Sequence, residues 1–227
     1  MTSSNPTAVF DLDGTLIDTA PDLVDAVNAV LQVEKIGTVS TEDLHHLVGH
    51  GGRAMIKAAY GKFGHDADEA LIDRLIPVFI DAYAANMPGQ SKPYPGVIEL
   101  IDSLRSEGWI CAVCTNKMKR LADPLLEALQ LTSRFASVSG GDTYPFKKPD
   151  PRHITQTILE AGGNPKKAVM FGDSENDIVA AQGANIPVIA VDFGYTPVHV
   201  REFQPTKIIS SYSDLTVADV TSLLNAD

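Results

Sequence analysis

Short apolar runs ending in polar or glycine-rich corners recur along the chain, at Thr7–Phe10, Trp109–Cys114, Phe135–Ser139, Ala168–Phe171, Pro187–Val191 and Lys207–Ile209. Their length and their β-branched or aromatic content predict buried strands. Between most of them apolar residues return at helical spacing. Val97, Leu100, Ile101 and Leu104 share one face, and Gly108 follows as a stop. Ile154, Ile158 and Ala161 repeat the pattern after Asp150 and Pro151, closed by Gly162 and Gly163. Such alternation predicts an α/β fold, a Rossmann-like doubly wound parallel sheet with helices on both faces.

One interval departs from this rhythm. From about Thr19 to Pro88 no strand pattern appears, only helical periodicity. Leu23, Val24, Val27, Val30 and Leu31 line one helical face, and Thr19-x-x-Asp22 has capping-box spacing with Pro21 in the first turn. Ser40-x-x-Asp43 marks a second start and Gly51-Gly52 a third. A fourth helix is expected from Asp66 to Asn86, kinked or divided at Pro77. This is far more helix than the dozen or more residues a crossover needs. We expect an inserted all-helical cap over 18–91 on a core built from 1–17 and 92–227, with hinges near Leu16–Thr19 and Met87–Pro95.

Composition narrows the classes. The chain has 227 residues, 44% of them hydrophobic and 21% charged, which excludes a disordered polymer. No apolar run approaches the ~20 residues that span a bilayer, so no membrane partner is expected. The opening Met1–Pro6 has neither a basic region nor an apolar segment, so we expect no secretory signal and a cytoplasmic protein. A formal net charge of −11 argues against nucleic acid as a partner. A small anionic substrate remains compatible, because a metal ion and one lysine reverse the field locally. Cys111 and Cys114 fall on opposite sides of one strand, so they read as buried strand residues. A monomer or homodimer is expected.

Chemistry concentrates at the ends of the predicted strands. Asp11-Leu12-Asp13-Gly14-Thr15 follows the first, and its two carboxylates point the same way on an extended segment. Like charges that close repel by roughly 4 kcal/mol at a surface-type dielectric, so a cation or a shared proton is expected beside them. Thr115-Asn116-Lys117 follows the second strand, Gly140-Gly141-Asp142 and then Lys147-Lys148-Pro149 the third, and Gly172-Asp173-Ser174-Glu175-Asn176-Asp177 the fourth. Successive strand ends therefore supply carboxylate, hydroxyl, ammonium and carboxylate. Phosphoryl transfer needs that set: a nucleophile, donors to the transferring oxygens, fixed positive charge and anionic metal ligands.

Asp11-x-Asp13-Gly14-Thr15, Thr115, Lys148 and Gly172-Asp173-x-x-x-Asp177 together resemble the four signature motifs of the haloacid dehalogenase superfamily of phosphotransferases. Cys114–Lys117, Gly140–Thr143 and Gly172–Asp177 with Ala180-Ala181 look most like the bacterial phosphoglycolate phosphatases within it. The resemblance implies that Asp11 attacks phosphorus and that Asp13 serves as acid and then base. It implies that Thr115 and backbone N–H groups near Asn116 bind the phosphoryl group, and that Lys148 neutralises it. Mg²⁺ would be held by Asp11, the Asp13 carbonyl and Asp173, with Asp177 orienting a metal-bound water or Lys148.

In the cap, Gly49-His50-Gly51-Gly52-Arg53 opens a helix whose N–H groups and Arg53 are expected to bind a substrate carboxylate. The candidate substrate-binding residues are thus Asn116, His50, Gly51 and Arg53. Lys117 reads equally well as the start of a helix. His45, His46, His65, His153 and His199 read as surface or packing residues, and the place of Tyr195 stays open. A Mg²⁺-dependent phosphomonoesterase for 2-phosphoglycolate is the leading expectation. A β-phosphoglucomutase-like isomerase is the nearest enzymatic alternative. A receiver domain, of a different class, would be shorter and uncapped.

Overall fold

Six of the apolar runs become strands of one parallel sheet. The computed structural model describes residues 5–225, and the opening residues 1–4 read above for a leader lie outside that range. Along the chain β1 (Thr7–Phe10) leads to the two-residue strand β2 (Ile17–Asp18) and helices α1 (Ala20–Val33), α2 (Thr41–Leu44), α3 (Gly52–Lys62) and α4 (Glu69–Asn86). A second two-residue strand, β3 (Lys92–Pro93), follows. Helix and strand then alternate through α5 (Val97–Ser106), β4 (Ile110–Cys114), α6 (Lys119–Ala128), β5 (Ser137–Ser139), α7 (Pro151–Glu160) and β6 (Ala168–Gly172). The chain ends with α8 (Glu175–Gly183), β7 (Val188–Val191), β8 (Lys207–Ile209) and α9 (Val217–Ser222).

The sheet order is β5-β4-β1-β6-β7-β8. Thr7 of β1 lies opposite Ile110 on one side and Ala168 on the other, so β1 is central. Connections leave it toward both edges, which opens a crevice at the carboxyl ends of β1, β4 and β6. Alternate residues feed the two faces. Ala8 and Phe10 join Val113 and Phe171 in one apolar cluster, while Val9 joins Ile154, Met170 and Ile178 in another. Phe10 and Phe171, neighbours across two strands, stack with ring centres 4.4 Å apart. Cys111 and Cys114 lie one on each side and stay unpaired, as their spacing requires.

The helical insertion centres on a third cluster, shared with Leu121 and Tyr195 from outside it, in which Leu23, Val27 and Leu31 of α1 meet Met55, Leu75 and Phe79 of α3 and α4. Three details differ from the sequence expectations. The Thr19–Asp22 capping box does not form. The Thr19 hydroxyl donates to Asp13 Oδ1 at 2.7 Å, and Asp22 accepts from the backbone N–H groups of Gln90 and Ser91, 2.8 Å each. Both residues are drawn from the helix end into longer-range bonds. The last helix starts at Glu69 because Asp68 caps it through the Leu71 N–H, and it runs through Pro77 undivided. The third difference is an antiparallel ribbon of β2 and β3, which pins the two expected hinge stretches to each other. The Ser40–Asp43 capping box forms as expected. Among the described residues no helix is long and apolar enough to cross a membrane.

Candidate active site

The strand ends converge on one buried group. Asp11 follows β1, its N–H bonded to the Phe171 carbonyl at 2.9 Å. Lys148 Nζ lies 2.8 Å from Asp11 Oδ1, 2.6 Å from Asp177 Oδ1 and 2.6 Å from the Cys114 carbonyl, so its three protons each have an acceptor. Burial works against the lysine's charge, but Asp11 and Asp177 outweigh it and hold its pKa above the ordinary value. Asp173 accepts from the Thr15 hydroxyl at 3.1 Å and the Tyr195 N–H at 2.8 Å. The second oxygen of Asp177 takes the Ser174 hydroxyl and N–H at 2.6 and 3.1 Å.

Asp11, Asp173 and Asp177 each offer an oxygen within 4.8 Å of the others. Three buried carboxylates face one ammonium. Burial raises the Asp11 and Asp173 carboxyls above their usual range, and the charge on Asp177 adds to both rises. A buried set of hard oxygen donors with surplus negative charge suits a cation such as Mg²⁺. The cluster takes in the Asp177 side chain, expected one layer further out, and leaves the Asp13 side chain outside it.

Asp13 and Asp11 line the same cavity, of about 370 Å³, and each is paired with a different lysine. Lys117 Nζ reaches Asp13 Oδ1 at 3.0 Å and Oδ2 at 3.2 Å, and it stands 4.3 Å over the ring of Tyr83 on α4. The turn that follows the two acids depends on Gly14. Its φ is +82°, and a Cβ there would fall 2.5 Å from Asp173 Oδ2 and 2.8 Å from the Tyr195 ring.

Thr115 is buried at the end of β4 and lines the acidic cavity with Lys148 and Asp173. Asn116, expected to touch substrate, borders the cavity while its Nδ2 donates to the Lys148 carbonyl at 2.8 Å. His50 and Gly51 overhang the acidic cavity from the cap side. Arg53 borders the neighbouring cavity that Asp13 also lines, and it is paired with acids of the cap. Its guanidinium bonds Asp73 Oδ1 at 2.6 Å and Glu69 Oε2, because α4 presents both acids on the face beside it.

Four side chains take part that the sequence left unassigned. Lys117 and Tyr83 are described above. His153 is fully buried, the packing arm of the sequence expectation, and its Nδ1 accepts the Lys148 N–H at 3.2 Å. Tyr195 joins the cluster to the start of α1: its hydroxyl accepts from the N–H groups of Thr19 (2.7 Å) and Ala20 (3.0 Å) and donates to Asp18 at 2.8 Å. The sequence signal for Lys117 was its place two residues after Thr115. Tyr195 was singled out after Gly194 with its place left open, whereas Tyr83 and His153 carried none.

A conserved-family profile described as haloacid dehalogenase-like hydrolase matches residues 8–191. The chain belongs to that family and is a phosphatase within it. It is 50% identical to a phosphoglycolate phosphatase of Mesorhizobium japonicum over 98% of both chains. It is also 50% identical to one of Agrobacterium fabrum, over 94% of this chain and 92% of the other. The crystal structure of a predicted phosphoglycolate phosphatase from Haemophilus somnus superposes with a TM-score of 0.86 at 28% identity, covering 96% of this chain and 99% of that one.

Proposed function

We propose that this phosphatase is Mg²⁺-dependent and converts 2-phosphoglycolate to glycolate and phosphate through an aspartyl-phosphate on Asp11. The observation that carries the reading is the state of Asp11 at the centre of the crevice. Lys148 holds one of its oxygens, and among the described residues no hydrogen bond engages the other. An anchored carboxylate with one open oxygen is placed to attack phosphorus. The Thr115 hydroxyl would bind the transferring oxygens and Lys148 would offset their charge. Asp13, steadied by Thr19 and Lys117, would give a proton to the departing alkoxide oxygen and then take one from the attacking water. Asp11, the Asp13 carbonyl and Asp173 would hold Mg²⁺, with Asp177 keeping Lys148 in place beside it. Bound there, the ion supplies positive charge to the phosphoryl oxygens.

The substrate reading is supported by the relatives, each described as a phosphoglycolate phosphatase, that share half their residues with this chain over nearly its full length. Residues 18–91 act as a cap over a core of 1–17 and 92–227, excluding bulk water while His50 and Gly51 border the substrate. The reading includes a cytoplasmic enzyme, monomeric or homodimeric, that engages neither nucleic acid nor membrane.

The test is incubation with Mg²⁺ and 2-phosphoglycolate in one reaction and β-glucose 1-phosphate in another, beside an Asp11→Asn control. Phosphate and glycolate in the first, absent from the control, are expected. Glucose 6-phosphate from the second would overturn the hydrolase reading in favour of the mutase.

A further inference from the structure

Two cavities meet at Asp13. The acidic one holds Asp11, Thr115, Lys148 and Asp173. The other, about 320 Å³, lies against the cap helices and is walled by Leu23, Met55, Phe79 and Ile80. Asp13, Asn116 and Lys147 border both. An ester with phosphorus at Asp11 therefore extends its leaving group past Asp13 into the apolar-walled space. A negative charge entering such a space is costly unless it meets a cation there.

Three cations border that second cavity besides the acid Asp13: Arg53, Lys147 and Lys117. Arg53 is tied to Glu69 and Asp73 and is half exposed. Lys147 stands at the exposed rim, where an ion pair is screened by water. Lys117 differs from both. Its side chain is 5% exposed, its partner is Asp13, and the face of Tyr83 covers it. An ammonium desolvated in this way gains more from an anion than an exposed one does.

We propose that Lys117 is the specificity-determining residue for the far end of the substrate, exchanging Asp13 for a carboxylate carried by the leaving group. The proposal rests on the reading above that places phosphorus at Asp11. It assigns to Lys117 the carboxylate that the sequence assigned to Arg53. Lys117 has three donors, and Tyr83 keeps the ammonium in place while its anionic partner changes. The preferred class is a phosphate monoester bearing a second, carboxylate anion a few bonds from the ester oxygen. Esters of the same size without that anion leave the Lys117–Asp13 pair unbroken.

The test compares kcat/KM for matched pairs, 2-phosphoglycolate against ethyl phosphate and phospholactate against isopropyl phosphate. Wild type is expected to favour the acid member of each pair. Lys117→Gln should lower that preference about 30-fold or more, the scale of losing a desolvated charge pair. Lys117→Arg, which keeps the charge, should recover part of it, separating charge from damage to the fold. A Lys117→Gln preference within about threefold of wild type would overturn the proposal, as would a wild type that favours the neutral esters. Hydrolysis of phospholactate with none of phosphoglycolate would overturn only the substrate named above. It would support Lys117 where the variant loses the acid preference on that second pair.

Discussion

Asn116 Nδ2 donates to the carbonyl of Lys148 at 2.8 Å, so the residue after Thr115 fixes a lysine that follows a different strand. With His153 Nδ1 accepting the Lys148 N–H, the backbone of that lysine is bonded on both sides, and its ammonium is aimed at Asp11 and Asp177. Asn116→Ala removes the carbonyl's partner without touching any charge. Loosening a catalytic group by about an ångström costs on the order of 100-fold in rate. We expect kcat to fall about 10- to 100-fold while KM changes little, measured by steady-state phosphate release. A rise in KM at constant kcat would mean that Asn116 binds substrate instead.

Asp11→Asn separates activity from stability. Burial raises the Asp11 carboxyl, so its ionised form destabilises the folded protein when no cation is present. The amide has nearly the same shape and no charge. We expect turnover to fall about 10³-fold or more while the variant, in chelator at pH 8, melts at or above the wild-type temperature. Thermal scans beside the phosphate assay read both effects. Lower stability of the variant in chelator would show that the Lys148–Asp11 pair outweighs the cost of burying the acid.

The strands, their order of use and the acidic corners were legible because they rest on local patterns: period, β-branched content and a polar residue at each strand's end. Asp11, Thr115, Lys148 and Asp173 meet because the parallel sheet sets its carboxyl ends side by side, which follows from the fold class alone. In the cap, the place of His50 and Gly51 beside the cavity was legible, but the partners of Arg53 were not. Arg53 faces Glu69 and Asp73 because of how α3 packs on α4, and no spacing along the chain encodes that. Thr19 and Asp22 carry a local capping signal that longer-range partners override. Tyr195 and His153 work through bonds to partners as far as 177 residues away and five residues away, and their roles appear only when the partners are in place.

His153 gives a pH signature of its own. Burial, with Lys148 nearby, pushes its pKa down from 6.5 to about 4. Above pH 6.5 the ring is neutral whether the chain is folded or not. Between pH 6.5 and 4 the unfolded chain takes up a proton that the folded protein refuses, so stability falls as pH falls. From pH 6.5 to 5 this amounts to about 2 kcal/mol at ~1.4 kcal/mol per pH unit. Urea midpoints for wild type and His153→Gln at pH 7 and 5 isolate the effect, because the other acids are common to both. The variant should lose less stability on acidification; an equal loss would mean the ring is protonated in the folded state.

Mg²⁺ should stabilise the protein more at pH 8 than at pH 5. In its absence the raised pKa values of Asp11 and Asp173 mean that the folded protein keeps protons which the unfolded chain releases above about pH 4. For carboxyls shifted in that direction, stability is greatest below the unfolded value and declines as pH rises through the folded values. A cation competes with those protons for the same oxygens. Near pH 5 it must displace them, whereas at pH 8 it meets carboxylates already ionised and unfavourably crowded. Binding to the folded state adds RT ln(1 + [L]/Kd), about 2.7 kcal/mol at a hundredfold excess over Kd, and the proton competition lowers that gain at the acid end. Melting temperatures with saturating Mg²⁺ and with chelator, at both pH values, give four numbers. The gain at pH 8 should be the larger, and Asp173→Asn should shrink it. Equal gains at the two pH values would place the ion away from the Asp11–Asp173–Asp177 cluster.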